Sequence, residues 1–188
     1  MHSQPKTHLS EKRFTVVAIL VALLLAVVGC SGGAAASQAD DPAANAKAAA
    51  TALDAGLKAH AAGDTKAATA DYNTVLKYEP KNKFALYNLA LIDSANGNYG
   101  LAEEKYRLAL ASDPAYEPAL FNLAILRSTK NPKEAIALYR RAVKANPKDA
   151  AALLNLGLLL RSNGQKAEGD KDVLRAIAIN PKLKDPKH

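Results

Sequence analysis

The sequence predicts an all-α protein in which a helix–turn–helix unit is repeated about four times. Hydrophobic residues make up 49% of the chain and aromatic residues only 5%, so the apolar content is mostly Ala and Leu, which are good helix formers. Four prolines recur at intervals of 34, 33 and 34 residues, namely Pro80, Pro114, Pro147 and Pro181. Each repeat is divided near its middle by a turn signal, at Gly63-Asp64, Gly97-Asn98, Asn131-Pro132 and Gly164-Gln165.

The first 29 residues have the pattern of a secretory signal peptide. Three basic residues, Lys6, Lys12 and Arg13, precede an uncharged run of 16 residues from Phe14 to Gly29. A spanning helix usually needs about 20 apolar residues, whereas a signal peptide combines a basic head with a run of roughly this length. The run is followed by Cys30. Because this is the one cysteine of the chain, an internal disulfide and a cysteine-based zinc site are excluded.

The end of this run, Val27-Val28-Gly29-Cys30, resembles the lipobox of bacterial lipoproteins. The resemblance implies that the Cys30 thiol receives a diacylglycerol and that residues 1–29 are then removed. Two or three acyl chains would anchor the protein stably, since each buried methylene contributes about 0.8 kcal/mol. An uncleaved single-span anchor and ordinary secretion remain as alternatives. In all three cases the basic head stays cytoplasmic and the rest lies outside. For the lipid-anchored form we expect the chain at the extracytoplasmic face of a bacterial membrane.

Residues 31–46 are small and polar, and they contain Gly, Ser and Pro. Nothing in this stretch could build a core, so we expect segment 30–48 to be the lipid-anchored cysteine followed by a flexible linker. The formal charge is +7, and it falls to +5 (22 basic and 17 acidic residues) without residues 1–29. This mild excess is spread along the chain and indicates a solvated surface more than a polyanion site.

The repeats resemble those of the tetratricopeptide family. In that family's numbering they span 49–82, 83–116, 117–149 and 150–183, followed by a tail, 184–188. The match is carried by small residues at repeat position 8, which are Gly56, Ala90, Ala124 and Gly157. Position 20 holds Ala68, Ala102, Ala135 and Gly169, and position 24 holds Tyr72, Tyr106, Tyr139 and Val173. The resemblance implies an α-solenoid of about four stacked repeats.

The residue types at these positions have a physical explanation. Small residues at 8 and 20 let the two helices of a repeat approach closely, and the ring at 24 fills the gap between neighbours. Each repeat can bury its apolar face only on the next one, so the array folds by stacking. The fourth repeat departs at Gly169 and Val173, and its second helix opens with a polar stretch. We therefore expect either a terminal cap or a helix that packs on something else.

The resemblance also implies that the first helices line a concave face. Position 6 of repeats 2 to 4 holds Asn88, Asn122 and Asn155, which predicts an asparagine ladder. A carboxamide both donates and accepts hydrogen bonds, so such a ladder could bind the backbone of an extended peptide. The alternative is that Asn is simply common at this position.

Apolar residues flank the ladder. Position 5 holds Leu53, Tyr87, Phe121 and Leu154, and position 9 holds Leu57, Leu91, Ile125 and Leu158. We expect an apolar floor of this kind to bind an extended or helical apolar segment, with Tyr87 and Phe121 as anchors. The alternative is that some of these side chains turn inward and belong to the core.

The sequence argues against several functions. The family's clamp for chaperone carboxyl-terminal tails would need cationic residues where Leu53, Pro118 and Asn122 stand. We find no catalytic motif, metal-ligand spacing or phosphate-binding loop, and no nucleic-acid signature, so we expect neither an enzyme nor a cofactor. The lone His60 is expected to be non-catalytic. The acidic pairs Glu103-Glu104 and Asp170 with Asp172 are expected on a solvated face.

The sequence thus predicts a membrane-anchored scaffold or adaptor that binds a protein or peptide in the groove of its repeats. The alternative is an accessory lipoprotein of a pilus, secretion or cell-envelope assembly complex. A binder of anionic wall polymer, or an enzyme, is a weaker third hypothesis, because only the basic excess supports it.

Overall fold

The computed structural model describes residues 41–185, which form eight α-helices and no strand. The prediction of an all-α fold is confirmed. The helices are α1 (Pro42–Ala61), α2 (Thr65–Tyr78), α3 (Lys83–Ala95), α4 (Tyr99–Ser112), α5 (Glu117–Arg127), α6 (Pro132–Ala145), α7 (Ala150–Ser162) and α8 (Lys166–Ile179). Each odd-numbered helix packs most extensively on the helix that follows it, and successive pairs stack on each other.

The linker prediction over 30–48 is wrong from residue 42 onward. The helix α1 begins at Pro42, seven residues before the expected start of the first repeat. Asp41 caps it by accepting a hydrogen bond from the Ala43 amide, and proline is favoured in the first turn, where its missing N–H needs no partner. The Ala-rich composition that favoured a flexible linker thus propagates a helix once this cap has started it. Residues 30–40 of the predicted linker lie outside the described residues.

The turns form where the breakers predicted them. Gly63, Gly97 and Gly164 adopt φ values of 79°, 79° and 81°, which residues with a Cβ rarely adopt. The third repeat has no glycine at this point. Its second helix instead starts at Pro132, and the Asn131 side chain accepts a hydrogen bond from the Glu134 amide. The third repeat is one residue shorter because α5 has 11 residues where α3 and α7 have 13, and the turn that follows it, 128–131, is one residue longer than the other turns.

The small residues at position 8 allow the close helix approach that their spacing predicted. A Cβ added to Gly56 would lie 2.8 Å from a ring carbon of Tyr72, so the tyrosine ring packs directly on the α1 backbone. Alanines at positions 20 and 27 are fully buried in the same way, including Ala102 and Ala109. The ring at position 24 is buried in all three repeats that carry it.

Ion pairs connect the second helices of successive repeats. Arg107 on α4 binds Glu134 on α6, with 2.7 Å between nitrogen and oxygen. One repeat later, Arg140 on α6 binds Glu168 on α8 at 2.9 Å. Arg127 on α5 adds a further bond to Glu103 on α4. These partly exposed pairs contribute little energy singly, but they fix the register of adjacent repeats.

The polar opening of α8 is therefore not simply solvated. Glu168 joins α8 to α6, and Asp170 binds Arg161 on α7. Asp172 is only 6% exposed and pairs with Arg175 on the same helix. Glu103 is likewise engaged by two arginines, so the expectation of a solvated acidic face is wrong for Glu103 and Asp172.

Candidate functional site

The first helices α3, α5 and α7 carry the predicted site residues. Asn88, Asn122 and Asn155 are half-buried at equivalent points of these helices. The apolar residues predicted beside them divide into two groups. Tyr87, Leu91 and Phe121 are partly buried and pack against the core, whereas Ile125 is 45% exposed and Leu158 is half-buried. The peptide-binding role of these residues stays a prediction.

The rings of Tyr87 and Phe121, the predicted anchors, pack against other rings of the fold. The ring of Tyr87 lies 5.9 Å from that of Tyr106 and 5.5 Å from that of Tyr116, measured between centroids. The Phe121 ring packs edge-to-face on Tyr139 at 5.9 Å. Such pairs are typical of aromatic packing within a core. The second interpretation of the apolar floor, that some of its members turn inward, holds for these two residues.

The asparagine side chains make internal hydrogen bonds. Asn88 donates to the Phe84 carbonyl at 2.8 Å, and Asn122 donates to the Pro118 carbonyl at 2.9 Å. Asn122 also donates to the Tyr87 hydroxyl at 3.3 Å, which ties the third repeat to the second. The side chain of Asn155 lies beside the hydroxyl of Tyr139 in the preceding repeat. Burial raises the pKa of that hydroxyl, and Asn155 is near enough to lower this pKa in part. The ladder therefore has a structural role between repeats in addition to any role in binding.

One cavity of about 450 Å³ opens beside the ladder, where α5, α6 and α7 meet. It is lined by Ile125, Ser128, Tyr139, Asn155, Leu158, Leu159 and Ser162. Three of these residues, Ile125, Asn155 and Leu158, were predicted from the sequence, and the structure brings them together. Its size is within the range of about 300–1,000 Å³ that is usual for ligand-binding clefts.

The cavity includes residues that were not singled out from the sequence. Ser128 and Ser162 stand at repeat positions 12 and 13, which belong to the same helical face as positions 5, 6 and 9. Extending the predicted binding face by one helical turn would have included Ser128 and Ser162. Tyr139 was assigned to packing alone, and its ring is buried, but the side chain also lines the cavity. No sequence signal indicates that a core residue reaches such an opening.

The serine hydroxyls of the cavity leave acceptors for a ligand. The Ser128 hydroxyl donates to the Ala124 carbonyl at 2.7 Å, and the Ser162 hydroxyl donates to the Leu159 carbonyl at 2.9 Å. A hydroxyl has one hydrogen and two lone pairs, so both oxygens can still accept. The lining contains no charged residue. The cavity thus suits an uncharged group that donates hydrogen bonds and carries apolar surface.

A pair of carboxyl groups lies between the starts of α5 and α7. Burial, together with the hydrogen bond and charge of Asp149, raises the pKa of Glu117 to about 7. Asp149 caps α7 by accepting hydrogen bonds from the Ala151 and Ala152 amides, so its carboxylate is held in place. The ionised form of Glu117 is thus disfavoured by the folded protein.

We expect Glu117→Gln to stabilise the fold at pH 8 and to have little effect at pH 5. The folded protein retains the Glu117 proton up to about pH 7, whereas the unfolded chain releases it near 4.5. The folded state therefore binds more protons between these values, and stability falls as pH rises through this window. Because solvent screens this partly exposed group, the gain at pH 8 should be about 1 kcal/mol. Urea unfolding at both pH values measures it, and an equal shift at pH 5 and pH 8 would argue against the carboxyl pair.

The part of the chain from 41 to 185 contains no cluster of three or more potential metal-ligating side chains. None of the helices formed by these residues is long and apolar enough to cross a membrane. Cys30, the predicted lipidation site, and residues 1–29 lie outside the described residues.

Comparison with known families gives a match to the tetratricopeptide repeat over residues 53–117 and 126–182. The chain is 29% identical over 122 residues to the cellulose synthase 1 operon protein C of Komagataeibacter xylinus. This alignment covers 63% of the chain but only 9% of that protein. A second Komagataeibacter xylinus relative, the cellulose synthase operon protein C, also matches over 9% of its length, at 29% identity. The chain thus spans less than a tenth of these relatives.

Solved structures show the same fold. A crystal structure of MamA superposes with a TM-score of 0.64 at 25% identity, covering 73% of this chain and 76% of that one. The Pseudomonas aeruginosa protein pilF gives a TM-score of 0.65 at 24% identity, covering 74% and 64%. A Thermobaculum terrenum O-GlcNAc transferase mutant matches at 28% identity and a TM-score of 0.56, over 62% of this chain and 22% of that chain.

Proposed function

Because the chain belongs to the tetratricopeptide repeat family, we propose that it is a non-catalytic adaptor that binds a partner protein on the face formed by α3, α5 and α7. The observation that supports this most directly is the 450 Å³ cavity beside the asparagine ladder. Its apolar wall of Ile125 and Leu158 is not covered by any other described helix. An opening of this kind at the junction of three helices favours a side chain inserted from another polypeptide.

The chemistry of the cavity narrows the ligand to an uncharged, apolar segment. The apolar wall would hold an aliphatic or aromatic side chain, while the oxygens of Ser128 and Ser162 would accept hydrogen bonds from backbone amides. Asn122 lies one repeat before Asn155, and Asn88 lies two repeats before it. Both would extend the same contact along a peptide. We therefore expect an extended segment whose N–H groups face the ladder.

Ile125→Asp is expected to abolish partner binding without unfolding the array. A carboxylate at the cavity wall would have to lose its hydration to contact an apolar side chain, which costs free energy. A residue that is 45% exposed makes few packing contacts, so its replacement should not unfold the protein. The measurement is recovery of the partner from cell-envelope extracts on the immobilised protein. Leu108→Asp is the matched control, because Leu108 on α4 is 46% exposed and lies outside the cavity.

The result that contradicts the proposal is equal partner recovery by the two variants. Substituting the ladder itself is a less clean test. Asn122 also donates to the Tyr87 hydroxyl of the preceding repeat, and Asn155 lies beside the Tyr139 hydroxyl, so Ala at these positions would change the contact between repeats as well as the binding face.

We also propose that the protein is held at the extracytoplasmic face of a bacterial membrane through lipidated Cys30. The support is the sequence pattern of residues 14–30 alone. Cys30→Ser should move the protein from the membrane to the soluble fraction or leave it as an unprocessed precursor. The mass of the purified membrane form should correspond to a chain that starts at Cys30 and carries diacylglycerol. A mass that includes residues 1–29 would instead show an uncleaved anchor.

A further inference from the structure

A second groove lies apart from the ladder, between the second helices of repeats 2 and 3. One cavity of about 280 Å³ is bounded by Arg107, Leu110, Ala111, Leu123, Leu138 and Arg141. Another of about 330 Å³ is bounded by Pro114, Ala115, Arg141, Lys144 and Ala145. Arg141 lines both cavities, so they adjoin at its side chain. We call them together the Arg141 groove. It shares no lining residue with the cavity beside the ladder.

Arg141 differs from every other arginine between residues 41 and 185. The other five, Arg107, Arg127, Arg140, Arg161 and Arg175, each bind at least one carboxylate. Arg141 has no carboxylate partner among the described residues and donates one hydrogen bond, 2.8 Å long, to the Pro114 carbonyl. A guanidinium has five N–H donors, so most of its donors remain available while this bond holds it in place.

A second cation lies beside it. Lys144 stands three residues after Arg141 on α6, a spacing that places two side chains on the same face of a helix. Lys144 is exposed and forms no ion pair within the described part of the chain. The two side chains together form an exposed site of positive charge at the edge of an apolar groove.

The floor of the groove is apolar. Leu110 and Leu138 line the smaller cavity and are almost fully buried, with 8% and 5% exposure. Each cavity is close to the lower limit of about 300 Å³ for small-molecule sites, so each suits a single side chain better than a cofactor. On the far side, Arg107 is neutralised by Glu103 and Glu134. Those two carboxylates would repel a long polyanion, whereas a single acidic side chain at Arg141 would avoid them.

We infer that the Arg141 groove is a second protein-binding surface, which takes a segment that places a carboxylate next to an apolar side chain. The carboxylate forms a charge-assisted pair with Arg141 and Lys144. The apolar side chain packs on Leu110 and Leu138. Because no residue is shared with the ladder cavity, the protein could hold two partners at once. This inference is independent of the function proposed for the ladder face.

Site-specific photo-crosslinking of the full chain in the cells that encode it tests this inference. A benzophenone amino acid replaces Ala111 or Ala115, both exposed at the groove, or Ala70 as a control, which is exposed on α2 and lines neither cavity. We expect crosslinks from positions 111 and 115, but not 70, to one protein. The crosslinked peptide should contain Asp or Glu within about three residues of an apolar residue.

Charge reversal supplies the second measurement. Arg141→Glu with Lys144→Glu should lower the crosslink yield by about tenfold, since both partners of the carboxylate are lost. Lys130→Glu with Lys133→Glu makes the same change in net charge outside the groove and should leave the yield unchanged. If the double Glu variant melts early, Arg141→Gln with Lys144→Gln replaces it.

Four results would overturn the inference. These are crosslinks at position 70 as strong as those at the groove, a crosslinked segment without acidic residues, crosslinks to nucleic acid or wall polymer, and a yield that is insensitive to charge reversal. Ile125→Asp should not change the groove crosslinks. A loss of ladder binding and a loss of groove binding can therefore be told apart.

Discussion

Gly157→Ala is expected to destabilise the fourth repeat by about 3 kcal/mol or more. A Cβ on Gly157 would lie 2.7 Å from the Gly169 carbonyl oxygen and 2.9 Å from the Val173 amide nitrogen. These are backbone atoms of α8, so they cannot rotate away as the end of a side chain could. Insertion of even one methyl group must push α7 and α8 apart, and it then loosens the fully buried Val173.

Gly169→Ala should have a similar effect, because its Cβ would approach the Gly157 carbonyl oxygen at 2.5 Å. Gly100→Ala is the matched control on α4, since nothing lies within 4 Å of the added Cβ. That change should stabilise the fold by about 0.5–1 kcal/mol, because alanine loses less backbone freedom than glycine in a helix.

Amide hydrogen exchange shows which helices the substitution destabilises. Repeat arrays are stabilised by nearest-neighbour contacts, so protection should fall in α7 and α8 while α1 to α4 keep theirs. Urea unfolding gives the free energy. Unchanged protection in α7 and α8 for Gly157→Ala, or equal effects of Gly157→Ala and Gly100→Ala, would contradict the close helix approach.

This glycine pair also shows what the sequence could not predict. The departure from alanine at Gly169 and from an aromatic ring at Val173 indicates a degraded repeat. In the structure Gly157 and Gly169 face each other, so α7 and α8 approach closely and Val173 is fully buried. Residue types at fixed positions predict that helices pack, but the distance between them depends on both helices together.

The ladder face shows a similar limit. The repeat spacing correctly placed Asn88, Asn122 and Asn155 at equivalent points of three helices. It could not tell that Asn122 bonds the hydroxyl of Tyr87, because that contact joins residues 35 positions apart across a repeat boundary. The start of α1 was missed for another reason. A short cap at Asp41 and Pro42 decides where the helix begins, and the surrounding composition favours a linker.

Tyr106→Ala is expected to cost about 3–5 kcal/mol, the range for truncating a large buried ring. Tyr106 is 1% exposed and lies in the hydrophobic cluster formed by repeats 2, 3 and 4. Its ring packs against Tyr87, which in turn accepts the hydrogen bond from Asn122. The cavity left by alanine would therefore loosen the contact between the second and third repeats as well as the second repeat itself.

Two controls separate this packing from other roles of tyrosine. Tyr106→Phe keeps the ring and removes only the hydroxyl, so the cost should be about 1 kcal/mol or less. Tyr99→Ala on the same helix removes a side chain that is 54% exposed, and a change of about 0.5 kcal/mol or less is expected.

Urea unfolding of the three variants distinguishes the outcomes. If Tyr106 couples neighbouring repeats, Tyr106→Ala should lower the midpoint and also broaden the transition, because the two halves of the array then unfold less cooperatively. A lowered midpoint with an unchanged slope would confine its role to the second repeat. A cost no larger than that of Tyr99→Ala would show that the ring at position 24 does not hold the stack together, and its recurrence would then need a cause other than filling the gap between neighbouring repeats.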